Sequence, residues 1–134
     1  MTIKVHELKG ISSELADALK TSGIDDSAKL LAATGQAADR KALAAKHGVD
    51  ARQLLELANR ADLARIKGIG AVYGDLLEQA GVDTVMELRN RNADNLFAKI
   101  GESAEKLGVK RVPRIEEVRD WVEQAKQLER AVHY

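Results

Sequence analysis

The chain has no cysteine. Disulfide bridges and thiolate-held metals are therefore excluded, and a reducing compartment fits. No apolar run approaches the ~20 residues of a membrane span. The opening residues, Met1 to Glu7, carry no apolar signal core. A cytoplasmic protein with no membrane partner is the expectation. Excess charge is missing too, with 21 basic residues against 21 acidic. Residues 1–65 carry ten basic and nine acidic side chains, and residues 66–134 eleven and twelve, so neither half is polarised. Bulk charge gives no support for a dedicated nucleic-acid binder, which is usually strongly basic. Aromatic residues are scarce at 3%, too few to build a stacking platform for bases. The core is expected to be aliphatic, with Phe97, Trp121 and Tyr73 as its few large pieces. Alanine is abundant, and small residues let helices approach closely.

What is present is enough for a globular fold. At 134 residues, 45% hydrophobic and 31% charged, the chain can bury a real core without staples.

The sequence repeats internally, which is the first pattern to seek. Leu8-Lys9-Gly10-Ile11-Ser12 stands beside Ile66-Lys67-Gly68-Ile69-Gly70. In the same register Leu19 matches Leu77, Gly23 matches Gly81, Ile24 matches Val82, Asp25 matches Asp83 and Leu30 matches Leu88. Further along, His47-Gly48-Val49 faces Leu107-Gly108-Val109. Leu54, Leu57, Ala58 and Ala61 then face Val118, Trp121, Val122 and Ala125. The register drifts because the second copy has a longer connection, around 110–114. The copies divide the chain into residues 1–61 and 62–134.

Each copy reads as helices. Gly10 and Gly23 bound a helix from about Ser13 to Ser22, with Leu15, Ala18 and Leu19 at helical spacing. Gly23 and Gly81 fall where a left-handed residue ends a helix, as do Gly48 and Gly108. A helix starts near Asp26. Thr84-Val85-Met86-Glu87 has capping-box spacing, and Asp50 caps a helix running to about Asn59. Pro113, the only proline, suits the first turn of the last helix. There Ile115, Val118, Val122, Ala125 and Leu128 share one face, with Trp121 beside them. No stretch alternates with period two long enough to form a strand.

The sharpest signal is the run Ile66-Lys67-Gly68-Ile69-Gly70-Ala71-Val72-Tyr73-Gly74-Asp75-Leu76-Leu77. It resembles the helix-hairpin-helix motif: apolar-x-Gly-apolar-Gly, a small residue four positions on (Gly74), then an apolar helix. Two glycines allow a tight corner between helices, and Ile69 plugs the space between them. The corner leaves backbone N–H groups at the positive end of a helix dipole, where a phosphate oxygen can sit. The resemblance implies contact with a nucleic-acid backbone, without base reading, in some members through a bound monovalent cation. Carried over by position, Gly68, Gly70 and Ala71 supply the N–H groups, and Lys67 and Arg65 add charge. The glycines are not a dinucleotide fingerprint, because the third comes one position late and no strand precedes them.

The first copy departs from the pattern. Ser12 stands where the second glycine belongs and suits an N-cap. The helix before this turn can only be the short segment 2–8. Lys9, Gly10 and Ser12 thus form the weaker of two candidate sites. Arg89 and Arg91 form a small basic cluster. A larger one runs through Lys106, Lys110, Arg111 and Arg114. Clusters of this kind neutralise phosphates with a strong salt dependence, and they also occur as solvated loops and helix ends.

The run from Ala61 to Leu88 and the closing segment from Arg111 to Leu128 resemble a bacterial and archaeal family of tandem helix-hairpin-helix domains with no agreed activity. The resemblance covers nearly the whole chain. It implies an all-α fold of two tandem helix-hairpin-helix repeats packed as one compact domain, within the SAM-like superfamily. Nucleic-acid binding is what the superfamily implies.

Catalysis finds little support. His6, His47 and His133 are not at metal-ligand spacing, and His47 sits at a helix end. Serines lie at helix starts. Glu116, Glu117, Asp120 and Glu123, interleaved with Arg119 and Lys126, read as a paired surface face. The expectation is therefore a non-enzymatic module without a metal or cofactor. It holds DNA or RNA backbone without sequence preference. The competing reading is a protein-interaction or scaffold domain in which the turns are only architecture.

Overall fold

A computed structural model describes residues 2–134. Among them are eight α-helices and no strand. The helices are α1 (Ser13–Thr21), α2 (Ser27–Thr34), α3 (Ala37–His47), α4 (Ala51–Leu63), α5 (Ala71–Gln79), α6 (Val85–Leu88), α7 (Ala93–Leu107) and α8 (Ile115–Lys126). In place of a helix over 2–8 there is one 3-10 turn, Val5–Glu7. Before it, Lys4 pairs with Asp26 in an isolated bridge.

Local chemistry places the helix ends. Ser12, Asp26, Asp50, Thr84 and Asn92 each accept an N–H of the following first turn through a side-chain oxygen, which satisfies donors that helix geometry leaves unpaired. One kind of stop ends four helices. The amide after the glycine donates back into the last turn: Ile24 to Leu19, Val82 to Leu77, Val49 to Ala44 and Val109 to Ala104, at 2.8–3.0 Å. That geometry needs a left-handed residue between, and Gly23 and Gly81 supply it at φ 87° and 91°. Pro113 lies outside the last helix rather than in its first turn. The N-cap of α8 is Arg114, whose N–H donates to Glu117 Oε1 at 3.0 Å.

Two apolar clusters form. One gathers Val5 and Leu8 from the opening segment with Leu15, Leu19, Leu30, Leu54, Leu57 and their neighbours from the first four helices. The other gathers Leu63 at the end of α4, Ile66 and Ile69 from the turn after it, and Leu76, Leu77, Leu88, Ile100, Val118 and Trp121 from the last four helices. The matched positions Leu54, Leu57, Ala58, Ala61 and Val118, Trp121, Val122, Ala125 are all buried. Trp121 and Tyr73 take the core places expected of them, but Phe97 does not. It stands 37% exposed on α7, since the buried stripe of that helix runs through Leu96, Ile100 and Ala104 instead.

Two polar devices tie the clusters together. Asp62, 1% exposed, accepts Arg65 Nε and Nη2 on Oδ1 at 2.9 and 2.6 Å and the Val85 N–H on Oδ2 at 2.8 Å. After α8 the tail returns to the first four helices, where Val132 joins their core. The His133 N–H donates to Gly35 O at 2.7 Å. Buried Arg40 donates to Thr34 O, Gly35 O and His133 O at 2.8, 3.0 and 2.6 Å. The guanidinium thereby caps the end of α2 and clips the tail down.

Arg40→Met leaves those carbonyls without a charged donor. It is expected to lower unfolding free energy by about 3 kcal/mol, read by urea denaturation, and to speed amide exchange at Val132 and His133. An unchanged urea midpoint contradicts the clip.

Burial, together with the neighbouring Asp83 carboxylate, pushes the Glu87 carboxyl above its usual range, and Arg91 partly offsets this. A raised carboxyl favours the protonated form in the fold. Its stabilising contribution is complete below the ordinary glutamate range and is lost as pH rises through the raised value. Glu87→Gln is therefore expected to match the wild type in acid and to melt at a higher temperature at neutral pH. Equal melting temperatures at both pH values would overturn this.

Candidate nucleic-acid interface

The turn at 66–70 is built from local and distant contacts. Ile66 and Ile69 are fully buried, and the Ile69 N–H closes back on Ile66 O at 3.2 Å. Buried apolar side chains on both sides of Lys67-Gly68 force these two residues to the surface, where both are exposed. Gly68 has φ 100°, and a Cβ there would lie 2.9 Å from Trp121 Nε1. The position therefore requires glycine on backbone and on steric grounds alike. From α8, Gln124 pairs with both backbone groups of Lys67: Oε1 accepts its N–H at 2.9 Å and Nε2 donates to its carbonyl at 3.1 Å. Gln124 Nε2 also donates to Asp120 Oδ2 at 2.8 Å.

The start of α5 follows. Gly70 is its N-cap and offers no side-chain acceptor. Among the described residues no backbone or side-chain acceptor takes the N–H groups of Gly70, Ala71, Val72 or Tyr73, and the first closing bond is Gly74 N–H to Gly70 O at 2.9 Å. Beside this helix start lies a cavity of about 330 Å³ lined by Gly68, Gly70, Ala71, Val72, Tyr73 and Arg111. Arg111 stands with Cζ 5.2 Å from the centre of the Tyr73 ring, a cation–π distance. Tyr73 rests in turn on Trp121, with ring centres 5.3 Å apart.

The expected site residues divide into two groups. Gly68, Gly70, Ala71 and Arg111 meet at this cavity. Lys67 is exposed beside it in the turn, and Ile69 is the buried plug. Arg65 turns away: its guanidinium is held by Asp62 and donates to Glu129 O at 2.8 Å. Lys106 and Lys110 are exposed, and Arg114, also exposed, lies 3.5 Å from Glu117. Arg91 donates to Gly81 O at 3.0 Å, and Arg89 is exposed on its own turn. At the other turn, Ser12 Oγ takes the Leu15 N–H at 3.1 Å, which satisfies one of the first-turn donors of α1. Lys9 and Gly10 there line only a crevice of about 60 Å³, beside Glu56, Arg60 and Glu78.

Two contributors escaped sequence reasoning. Gln124, half-buried among charged neighbours on α8, gives no local sign that it pairs with a backbone 57 positions away. Tyr73 was expected only as core, yet it also walls the cavity. A larger hollow of about 440 Å³ lies between α2 and the tail, lined mainly by Ala28, Leu31, Ala32 and Ala131. Its one charged group, Arg65, is already paired.

Gly68→Ala is expected to cost about 2 kcal/mol, from left-handed strain and displacement of Trp121, with a changed tryptophan emission spectrum. Gly74→Ala is the contrast. Its Cβ would meet only Ile69 Cγ2 at 3.9 Å, so stability should hold or rise by up to about 1 kcal/mol on helix propensity. Equal melting of the two variants would contradict the packing described.

Comparison with known proteins adds a family. No curated protein and no solved structure matches the chain. A family model described as Domain of unknown function (DUF4332) matches residues 9–128. That match takes in all eight helices, and the chain belongs to this family.

Proposed function

We propose that the chain is a non-enzymatic, tandem helix-hairpin-helix module that holds the phosphate backbone of nucleic acid, DNA in particular, without reading its bases. The observation that carries this reading is the start of α5, where consecutive N–H groups lie unpaired beside Arg111 in one cavity. Helix N-termini hold anions through these amides and the helix dipole. A guanidinium on the rim adds a charged donor for the second free oxygen of a phosphodiester. Lys67 and Lys110 extend the positive surface, and amides and a ring-stacked guanidinium engage phosphate oxygens rather than base edges.

The test is fluorescence anisotropy with labelled duplex and single-stranded DNA and RNA over a range of salt. Affinity should fall with salt and be indifferent to sequence. Arg111→Ala should weaken binding and reduce the slope of log K against log salt by about one. Ala71→Glu places a carboxylate among the amides and should abolish binding in a protein of unchanged circular dichroism. No binding at low salt, or equal binding by a folded Ala71→Glu, removes this reading. A protein partner then recovered independently of nuclease treatment would point to the interaction-domain alternative.

A further inference from the structure

After α8 the chain leaves one apolar cluster and enters the other. Leu128 still packs against the second cluster. Glu129 and Arg130 are exposed, and Val132 is then buried in the first. Residues 129–134 contain no helix. They form a strap between the two sets of helices.

The strap is held at few points. Among the described residues its one backbone–backbone hydrogen bond runs from the His133 N–H to Gly35 O at 2.7 Å. Two guanidinium groups hold its carbonyls: Arg65 Nη2 donates to Glu129 O at 2.8 Å, and Arg40 Nη2 to His133 O at 2.6 Å. Val132 is its one fully buried side chain. Elsewhere the packing is incomplete. The hollow of about 440 Å³ beside it is lined by Leu31, Ala32 and Gln36 together with Ala131 of the strap.

The slot is nonetheless shaped to receive a main chain. Gly35 has φ −62° and ψ −35°, a conformation open to any residue with a side chain. A Cβ there would lie 2.6 Å from Ala131 O, so the strap is what excludes one. Arg40 is 5% exposed, and its hydrogen bonds go to carbonyl oxygens, two at the end of α2 and one on the strap.

Segments with few apolar contacts and few hydrogen bonds open at lower free energy than the core they rest on. Lifting the strap withdraws one aliphatic side chain and breaks the three bonds just named. No bond within a helix is lost.

We propose that residues 129–134 are a reversible strap, which leaves its slot as a unit while the helices stay folded. The slot at Gly35 and Arg40 is thereby a docking site for an extended segment with one branched aliphatic anchor, and this chain supplies that segment itself. Main-chain bonds give the hold and the anchor gives the selectivity.

Two measurements on the full chain test this. In native-state hydrogen exchange at low urea, the His133 amide should exchange at least about tenfold faster than the amide of buried Leu57 on α4, with a weaker dependence on urea. The second measurement uses Val132→Asp, which empties the slot and should keep its helical circular dichroism. A synthetic peptide of residues 127–134 should then bind this variant saturably and move the ¹⁵N resonances of Gly35 and Arg40 toward their wild-type positions. The same peptide carrying Val132→Asp should not. Exchange of His133 and Leu57 at one rate, loss of the helices in Val132→Asp, or no saturation by the wild-type peptide overturns the proposal.

Discussion

Gln124 and Trp121, one turn apart on α8, hold the Lys67-Gly68 corner from beneath. The glutamine side chain behaves like a short piece of peptide, satisfying both the N–H and the carbonyl of Lys67. The indole sits so close to Gly68 that no other residue fits there in this conformation. With its backbone tied on one side and packed on another, the turn can expose the start of α5 to solvent without fraying. Amides in a mobile loop would lose entropy on meeting an anion, whereas amides already fixed do not. Tyr73 transmits the same support outward. It rests on Trp121 and places a ring under Arg111, so core packing reaches from the buried indole to the surface guanidinium.

Much of this architecture was legible in the sequence because it is written locally. The caps at Ser12, Asp26, Asp50 and Thr84 and the stops at Gly23, Gly48, Gly81 and Gly108 depend only on residues within a turn or two. Their chemistry survives removal from context. Ile66-Lys67-Gly68-Ile69-Gly70 likewise announced a corner with a buried plug. What was hidden involves distance. Arg40 meets His133 across 93 positions, and Arg65 is diverted to Asp62 and Glu129, so a charge beside the motif in sequence is not beside it in space. Phe97 misled for another reason. Size alone suggests burial, but its place on α7 is one residue off the buried stripe through Leu96 and Ile100. Pro113 misled by two positions, because its fixed backbone suits the approach to a helix as well as the first turn.

Stretches of the chain that match in sequence meet the same local need with different groups. The Ser27 N–H at the start of α2 is taken by the Ile3 carbonyl at 2.7 Å. At the matching point the Val85 N–H is taken by the Asp62 carboxylate at 2.8 Å. The first copy thus uses an extended backbone segment where the second uses a buried acid that also holds Arg65. The turns diverge similarly. Ser12 feeds its own helix start, and that amide has no further capacity, whereas Gly70 brings no acceptor and leaves the donors of α5 open. With glycine in place of serine, the start of α5 leaves open the one donor that Ser12 takes at the start of α1, with the helix itself intact in both.

A balanced net charge is a weak guide to the local field, because field at any site depends on which charges are already paired. Most arginines here are committed. Arg40 serves carbonyls, Arg60 is divided between Asp75 and Glu78, Arg65 is locked to Asp62, Arg91 reaches Gly81 O and Glu87, and Arg114 and Arg119 lie against Glu117 and Asp94. Arg111 differs in that its neighbour is the face of a tyrosine ring. A ring face orients a guanidinium without neutralising it. The sum of charges over the molecule is zero, yet at the start of α5, beside the cavity that Arg111 lines, helix dipole and guanidinium add with the same sign.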